Sequence, residues 1–235
     1  MRYSASLLVA LAGQVSACAV ADGIDTAPAD EFPEALPVFT ETYSLGTLDI
    51  GHWALTTNDL EPRVIDTSGG NPGGYLHAEV IGPCPTWSTA SPRLTGGGDT
   101  VFVGNYWGNR IGRVSADLLV EQAGSWSASR TVTLQLLRWD VANDTIALQA
   151  TFSFPDIPQV PSGWQHHEFP VDANSSTTPA GWELTRGDGT PASGAEWRVL
   201  MRQVDVVAFG LWKPGCMYPA LGYWKLGIDN IHIGP

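Results

Sequence analysis

Apolar and polar residues alternate with a period of two over much of the chain. The alternation is clearest in residues 114–121, 131–136 and 145–152, each of which has one apolar and one largely polar side. Successive side chains of an extended strand point to opposite faces, so this pattern predicts half-buried strands. Glycines and prolines separate the runs, and the best helix candidate is the short segment 195–203. The pattern predicts an all-β fold, a two-sheet antiparallel β-sandwich.

Two short strings lie near the two ends of the patterned region. Residues 69–76 read GGNPGGYL, and residues 226–233 read LGIDNIHI. In the first string, Asn71 and Pro72 predict a tight turn, and the four flanking glycines can supply the positive φ angles that such a turn needs. We therefore interpret the first string as a turn that leads into a strand at Tyr75, and the second as a closing strand.

The two strings resemble parts of the laminin B (laminin IV type A) module, and more closely its bacterial extracytoplasmic relatives. The resemblance covers residues 39–234 and implies a galactose-binding-like jelly roll with, for most members, no known activity. Besides the two strings it is carried by Gly98, Asp99, Phe102, Tyr106 and the Pro-Ala-Gly-Trp segment 179–182.

Residues 1–21 have the plan of a secretory signal peptide, since Arg2 precedes an apolar run too short to span a bilayer. Two processing sites compete. Residues 15–18 resemble a bacterial lipobox, in which Cys18 is lipidated, whereas cleavage after Ala21 would follow an ordinary small-x-small site. We favour lipidation, because a cysteine that ends an apolar run at this place is rare by chance.

Residues 22–38 are rich in Ala, Asp, Glu and Pro and lack periodicity, which predicts a solvated acidic tether. The β-sandwich domain is then expected over residues 39–235. Export would put the protein at a bacterial cell envelope, lipid-anchored and on the outer membrane if the cell is Gram-negative, or in the medium if the chain is secreted.

Cys84 and Cys216 are the two cysteines of the expected domain. Outside the cytoplasm an isolated pair predicts a disulfide. The alternative is two independent thiols in loops, because both residues lie among prolines and glycines.

The formal net charge is −12 and the isoelectric point is about 4.6. Nucleic acids and anionic membrane surfaces would repel such a chain, so neither is an expected partner. Membrane contact is expected only through the lipid anchor.

Asp229 is the first candidate for chemistry. Simple alternation places its carboxylate on the face of Ile231 and Ile233, and a buried carboxylate needs a partner. Carbohydrate-binding modules with a similar jelly roll often hold a structural calcium ion with an Asp in this strand. That resemblance implies a Ca²⁺ site formed by Asp229 and Glu41, although Ser44 stands where an acidic residue is common. The alternative is that Asp229 accepts hydrogen bonds from backbone or Asn groups.

Aromatic residues form the second candidate site. The chain has 10 tryptophans, and exposed aromatic rings can stack on sugars. We expect most tryptophans to pack in the core, and a minority in loops to form a sugar-binding rim. The candidate rim residues are Trp87, Tyr106, Trp107, Trp212 and Trp224.

Catalytic patterns are few. The sequence contains no HExxH, GxSxG or CxxC motif, and His166 and His167 are adjacent, so on a strand they point to opposite faces. The favoured function is a non-catalytic exported surface or adhesion module that binds a polysaccharide or surface glycan through loop aromatics. A structural lipoprotein that binds an extracellular protein is the alternative, and a jelly-roll glycan hydrolase is the third class.

Overall fold

The computed structural model describes residues 39–43, 53–56, 64–82, 86–91, 101–122, 131–154, 162–211 and 222–235. Residues 33–235 belong to one compact unit. In the described ranges no helix is long and apolar enough to cross a membrane. The elements found there are β1 (Phe39–Glu41), β2 (Ala54–Thr56), β3 (Val64–Gly70), β4 (Gly73–Gly82), β5 (Thr86–Ala90), β6 (Arg113–Gln122), β7 (Val132–Asp140), β8 (Thr145–Ser153), β9 (Ser162–Pro170), β10 (Trp182–Arg186), α1 (Gly194–Met201), β11 (Val206–Leu211) and β12 (Gly222–Gly234).

The strands form two antiparallel sheets. Sheet A has the order β3-β4-β12-β6-β9, and β1 also pairs with the end of β12, Phe39 opposite Ile233. Sheet B has the order β10-β8-β7-β11-β5-β2. The predicted two-sheet antiparallel β-sandwich is therefore confirmed, and the strand patterns at residues 114–121, 131–136 and 145–152 correspond to β6, β7 and β8.

The core lies between the sheets and consists of the apolar positions of the alternating strands. On β6 these are Val114, Ala116, Leu118 and Val120, all less than 7% exposed. Full burial of a Val or Leu side chain stabilises the folded state by about 1.5–3 kcal/mol relative to leaving that side chain exposed. Large aromatic rings fill the rest, with Trp53 packed 5.4 Å from the ring of Phe102 and 5.5 Å from that of Phe209.

Helix α1 occupies the segment in which the sequence predicts a short helix. Ser193 and Glu196 form a capping box at its start, in which the Ser193 N–H donates to Glu196 Oε2 at 2.7 Å. Arg186 binds both oxygens of the same carboxylate at 2.8 and 2.7 Å. The inward side of the helix buries Trp197, Leu200 and Met201.

A β-bulge in strand β12 decides which way Asp229 faces. Asp229 pairs with Asp117 and His232 with Ser115, so β12 has one more residue than β6 between these two pairs. The extra residue is Asn230, whose φ is +47°. Because the bulge reverses the alternation, Asp229 lies beside Asp117 on the outer face of sheet A, the face turned away from sheet B. The prediction that Asp229 shares the face of Ile231 and Ile233 is wrong for this reason.

Candidate ligand-binding face of sheet A

Two aromatic rings meet on the outer face of sheet A. Tyr75 on β4 and Trp164 on β9 approach edge to face, with ring centroids 5.3 Å apart and planes at 87°. They come together over Gly227 of β12. A Cβ atom at position 227 would lie 2.7 Å from a ring carbon of Tyr75 and 3.0 Å from one of Trp164. Only glycine leaves room for both rings at this place.

Hydrogen bonds to neighbouring strands hold both rings. Trp164 Nε1 donates to the carbonyl of Gly69 at 2.9 Å, and the Tyr75 hydroxyl donates to Glu121 Oε1 at 3.1 Å. Burial and the nearby Glu121 carboxylate raise the pKa of Tyr75, so its hydroxyl stays protonated and keeps donating. Tyr75 is only 6% exposed and Trp164 is partly exposed. Trp164 is therefore the ring of this pair that a ligand can reach.

A polar cluster lies next to the rings; we call it the turn cluster, and it consists of Asn71, Asp117, His166, Asp229 and Asn230. Asp229 is 0% exposed and accepts the N–H groups of Asn71 at 2.7 Å and Asn230 at 2.8 Å. Asp117 is 4% exposed and accepts the side-chain amides of Asn71 at 3.1 Å and Asn230 at 2.6 Å. The His166 Nδ1–H donates to the other Asp117 oxygen at 2.6 Å, and the Asn230 side chain also donates to the Asn71 carbonyl.

The turn cluster bonds the two sequence strings to each other. The GGNPGG turn lies against the closing strand so closely that a Cβ atom on Gly70 would be 2.9 Å from Asp229 Oδ2. Positive φ angles occur at Gly69 and Gly73, whereas Gly70 and Gly74 are needed for close approach. The prediction that all four glycines supply positive φ is thus correct for two of them.

The surroundings of Asp229 in the turn cluster make its carboxyl group harder to ionise than usual. Burial, together with the neighbouring Asp117 charge, raises the pKa of Asp229 to about 6. The N–H groups of Asn71 and Asn230 act in the opposite direction, because they stabilise the carboxylate. The interpretation of Asp229 as an acceptor of backbone hydrogen bonds is confirmed by these contacts.

The predicted metal site consists of Asp229 and Glu41. Glu41 is buried and pairs with Ile231, two positions beyond Asp229. Among the described residues, no group of three or more His, Cys, Asp or Glu side chains is arranged to hold a metal ion. Calcium binding by Asp229 and Glu41 stays a prediction, and excess EDTA tests it, because removal of a bound structural ion would lower the melting temperature.

Three of the predicted rim aromatics are core residues. Trp87 and Tyr106 are 1% exposed and Trp224 is 0% exposed, so these rings offer no face to a sugar. The prediction of a sugar-binding role for them is wrong, because they pack in the sandwich, with the Tyr106 hydroxyl donating to the Phe102 carbonyl at 2.7 Å. Trp107 is partly buried and lies 5.3 Å from the Arg202 guanidinium. Trp212 lies outside the described residues.

Other predicted features also fall outside the described residues. They are the signal peptide, the tether, Cys18, Cys84 and Cys216. The lipid anchor and the disulfide stay predictions.

The sequence carries weak signals for the face that the structure assembles. Asp117 is a carboxylate between apolar residues of β6, and Trp164 and His166 are two residues apart, which puts them on one side of β9. These signals do not show which strands are neighbours in the sheet. Without the strand order, the contact of Trp164 with Tyr75 and that of Asp117 with Asn71 cannot be predicted.

No protein-family model and no curated protein matches the sequence. Among solved structures, the chain is similar to the family 11 carbohydrate-binding module of the cellulase Lic26A-Cel5E of Clostridium thermocellum, with 13% identity, a TM-score of 0.47, and coverage of 86% of this chain and 96% of that one. It is also similar to that family 11 module in complex with a β-1,3-1,4-mixed-linked tetrasaccharide, with 13% identity, a TM-score of 0.43, and coverage of 83% and 95%. The K1 adhesin domain of Lys-gingipain from Porphyromonas gingivalis matches with 13% identity, a TM-score of 0.38, and coverage of 84% and 97%. The laminin B relationship stays a prediction.

The raised pKa of Asp229 predicts a pH-dependent stability. Its folded pKa of about 6 lies above the ordinary value, so the folded state binds the proton more tightly than the unfolded state. This contribution is fully present below about pH 4 and is lost as the pH rises to about 6. Relative to Asp229→Asn, the wild type should therefore lose about 1–3 kcal/mol of unfolding free energy between about pH 4 and about pH 7, measured by urea denaturation. Glu183→Gln, an exposed carboxylate change on β10, is the control; equal slopes in all three proteins would contradict the prediction.

The close contacts at Gly227 predict that Gly227→Ala is destabilising. The added methyl group must displace the Tyr75 and Trp164 rings, and overpacking of this kind costs about 1–3 kcal/mol. Gly163→Ala on β9 is the matched control, because a Cβ atom there meets nothing within 4 Å. Thermal and urea denaturation should show a loss in the first variant that exceeds the loss in the second. Equal stability of the two variants would show that the rings move aside at no cost.

Proposed function

We propose that this protein is a non-catalytic, exported surface module that binds polysaccharide on the outer face of sheet A. The observation that carries the proposal is the Trp164 ring, partly exposed and held in place by Tyr75 and the Gly69 carbonyl. A fixed aromatic ring can stack on the apolar face of a sugar with little loss of side-chain entropy. The site thus differs from the loop rim that the sequence suggests, while the class of ligand is the same.

Polar groups near the ring pair suit the hydroxyls of a sugar. The Glu121 and Asp66 carboxylates lie at the Tyr75 hydroxyl, and His77 lies 3.2 Å from Asp66. His166 is two residues from Trp164 on β9, and its side chain is 58% exposed. Its Nδ1 is bonded to Asp117, and its Nε2 can hydrogen-bond a ligand. A few placed polar groups around an apolar surface are typical of ligand sites.

The burial of Asp117 and Asp229 supports a binding role rather than hydrolysis by this carboxylate pair. A catalytic acid or base must come within hydrogen-bond reach of the substrate. These two side chains are 4% and 0% exposed, and their oxygens accept the donors of the turn cluster. The proposal puts the domain at a bacterial envelope, anchored through Cys18 if the lipobox is processed, or secreted if the chain is cut after Ala21.

Truncation of the accessible ring tests the proposal. Trp164→Ala should weaken binding to glycan-array ligands and soluble polysaccharides by at least about tenfold, because it removes the stacking surface. Trp139→Ala, on β7 of sheet B, makes the same truncation on the other sheet and should leave affinity unchanged. Near-ultraviolet circular dichroism checks that both variants are folded.

Two results would contradict this assignment. Loss of binding in Trp107→Ala with full binding in Trp164→Ala would move the site to the loop that the sequence suggests. A wild-type protein that binds no plant, fungal or bacterial glycan would reject polysaccharide binding and favour a protein partner.

A further inference from the structure

Acidic residues outnumber lysines and arginines on the outer face of sheet A. The ratio among the described residues is six to two, and it is four to two without the buried Asp117 and Asp229, with the histidines left out of both counts. Both basic side chains are also close to acids, since Lys225 Nζ lies 2.6 Å from Glu79 and Arg113 lies 3.9 Å from Glu168. The acidic residues are Asp66, Glu79, Asp117, Glu121, Glu168 and Asp229; the basic ones are Arg113 and Lys225.

Two of these carboxylates lie together at the end of the Tyr75 ring. Glu121 is exposed, and the hydrogen bond from the Tyr75 hydroxyl holds it beside the rings. Asp66, whose side chain is 40% exposed, contacts His77 and also interacts with the Tyr75 hydroxyl. A sugar beside this hydroxyl therefore meets both carboxylates.

From this charge pattern we infer that the face selects an amine-bearing polysaccharide, of the kind built from unacetylated glucosamine. The inference rests on the proposed polysaccharide-binding function and names its ligand class. An ammonium group on a sugar stacked at Trp164 gains a charge-assisted hydrogen bond to Glu121 and attraction to the indole ring. A polysaccharide of uronic or sulfated sugars meets repulsion at the same positions.

The test compares two short oligosaccharides of equal length that differ in one group. Fully deacetylated chitosan oligomers and N-acetylated chitin oligomers are titrated into the full protein by calorimetry, at about pH 7 and low salt. The amine form should bind about two- to fivefold more tightly for each amine engaged, the range of exposed ion pairs. Added salt should reduce this preference, because it screens exposed charges.

The variant Glu121→Gln tests the charge of this side chain separately from its shape. The Gln side chain can still accept the Tyr75 hydroxyl, so the ring pair keeps its support while the negative charge is removed. This variant should lose most of the preference for the amine form and keep its affinity for the acetylated form. Glu183→Gln on β10 of sheet B removes one charge elsewhere and should keep the preference.

Each other outcome has a definite meaning. Equal affinity for the two oligomers, or an unchanged preference in Glu121→Gln, overturns the inference and leaves polysaccharide binding intact. Alginate bound as tightly as chitosan also overturns it, because the charge of the face would then have no effect. If neither these oligomers nor any glycan on the array binds, the proposed function fails together with the inference.

Discussion

The hydrogen bonds between the GGNPGG turn and the closing strand are the contacts on which the outer face of sheet A depends. Asp229 and Asp117 accept four donors from Asn71 and Asn230, and these bonds fix the end of the β3–β4 hairpin over β12 and β6. The same turn begins at Gly69, whose carbonyl accepts the Trp164 indole. The position of the accessible aromatic ring is therefore set by a polar cluster whose two carboxylates are buried.

That cluster places two carboxylates side by side on neighbouring strands, an arrangement that costs free energy when both are ionised. The donors of Asn71, Asn230 and His166 offset part of this cost, because their hydrogen bonds replace those that the buried carboxylates would make to water. The part of the free-energy cost that is not offset raises the pKa of Asp229. Asp229 continues the outward positions of Lys225 and Gly227, and the bulge at Asn230 that follows it returns Ile231 and Ile233 to the core.

Local patterns in the sequence predicted the strands well and the site poorly. Alternation located β6, β7 and β8, and the short helix was expected within one or two residues of its observed bounds. The predicted facing of Asp229 was wrong because the alternation was counted from Ile231 and Ile233, beyond the inserted residue. The sequence does mark the bulge, since the apolar positions change phase between 228 and 231, around an Asn that tolerates positive φ. The predicted exposure of Trp87, Tyr106 and Trp224 was wrong because Trp87 and Trp224 lie on strands with their rings in the core, and the Tyr106 ring also turns into the core.

Asn71 and Asp229 are separated by 158 residues along the chain, although their atoms are in contact. A ribosome makes β12 long after the turn, so the two halves of the cluster coexist only once β12 has been synthesised. Contacts of such long range favour slow folding, because a large loop must close before they form. A chain that stops before β12 has Trp164 and Tyr75 but neither Gly227 beneath them nor Asp229 to hold the turn. The outer face with its fixed ring pair is thus complete only when β12 docks.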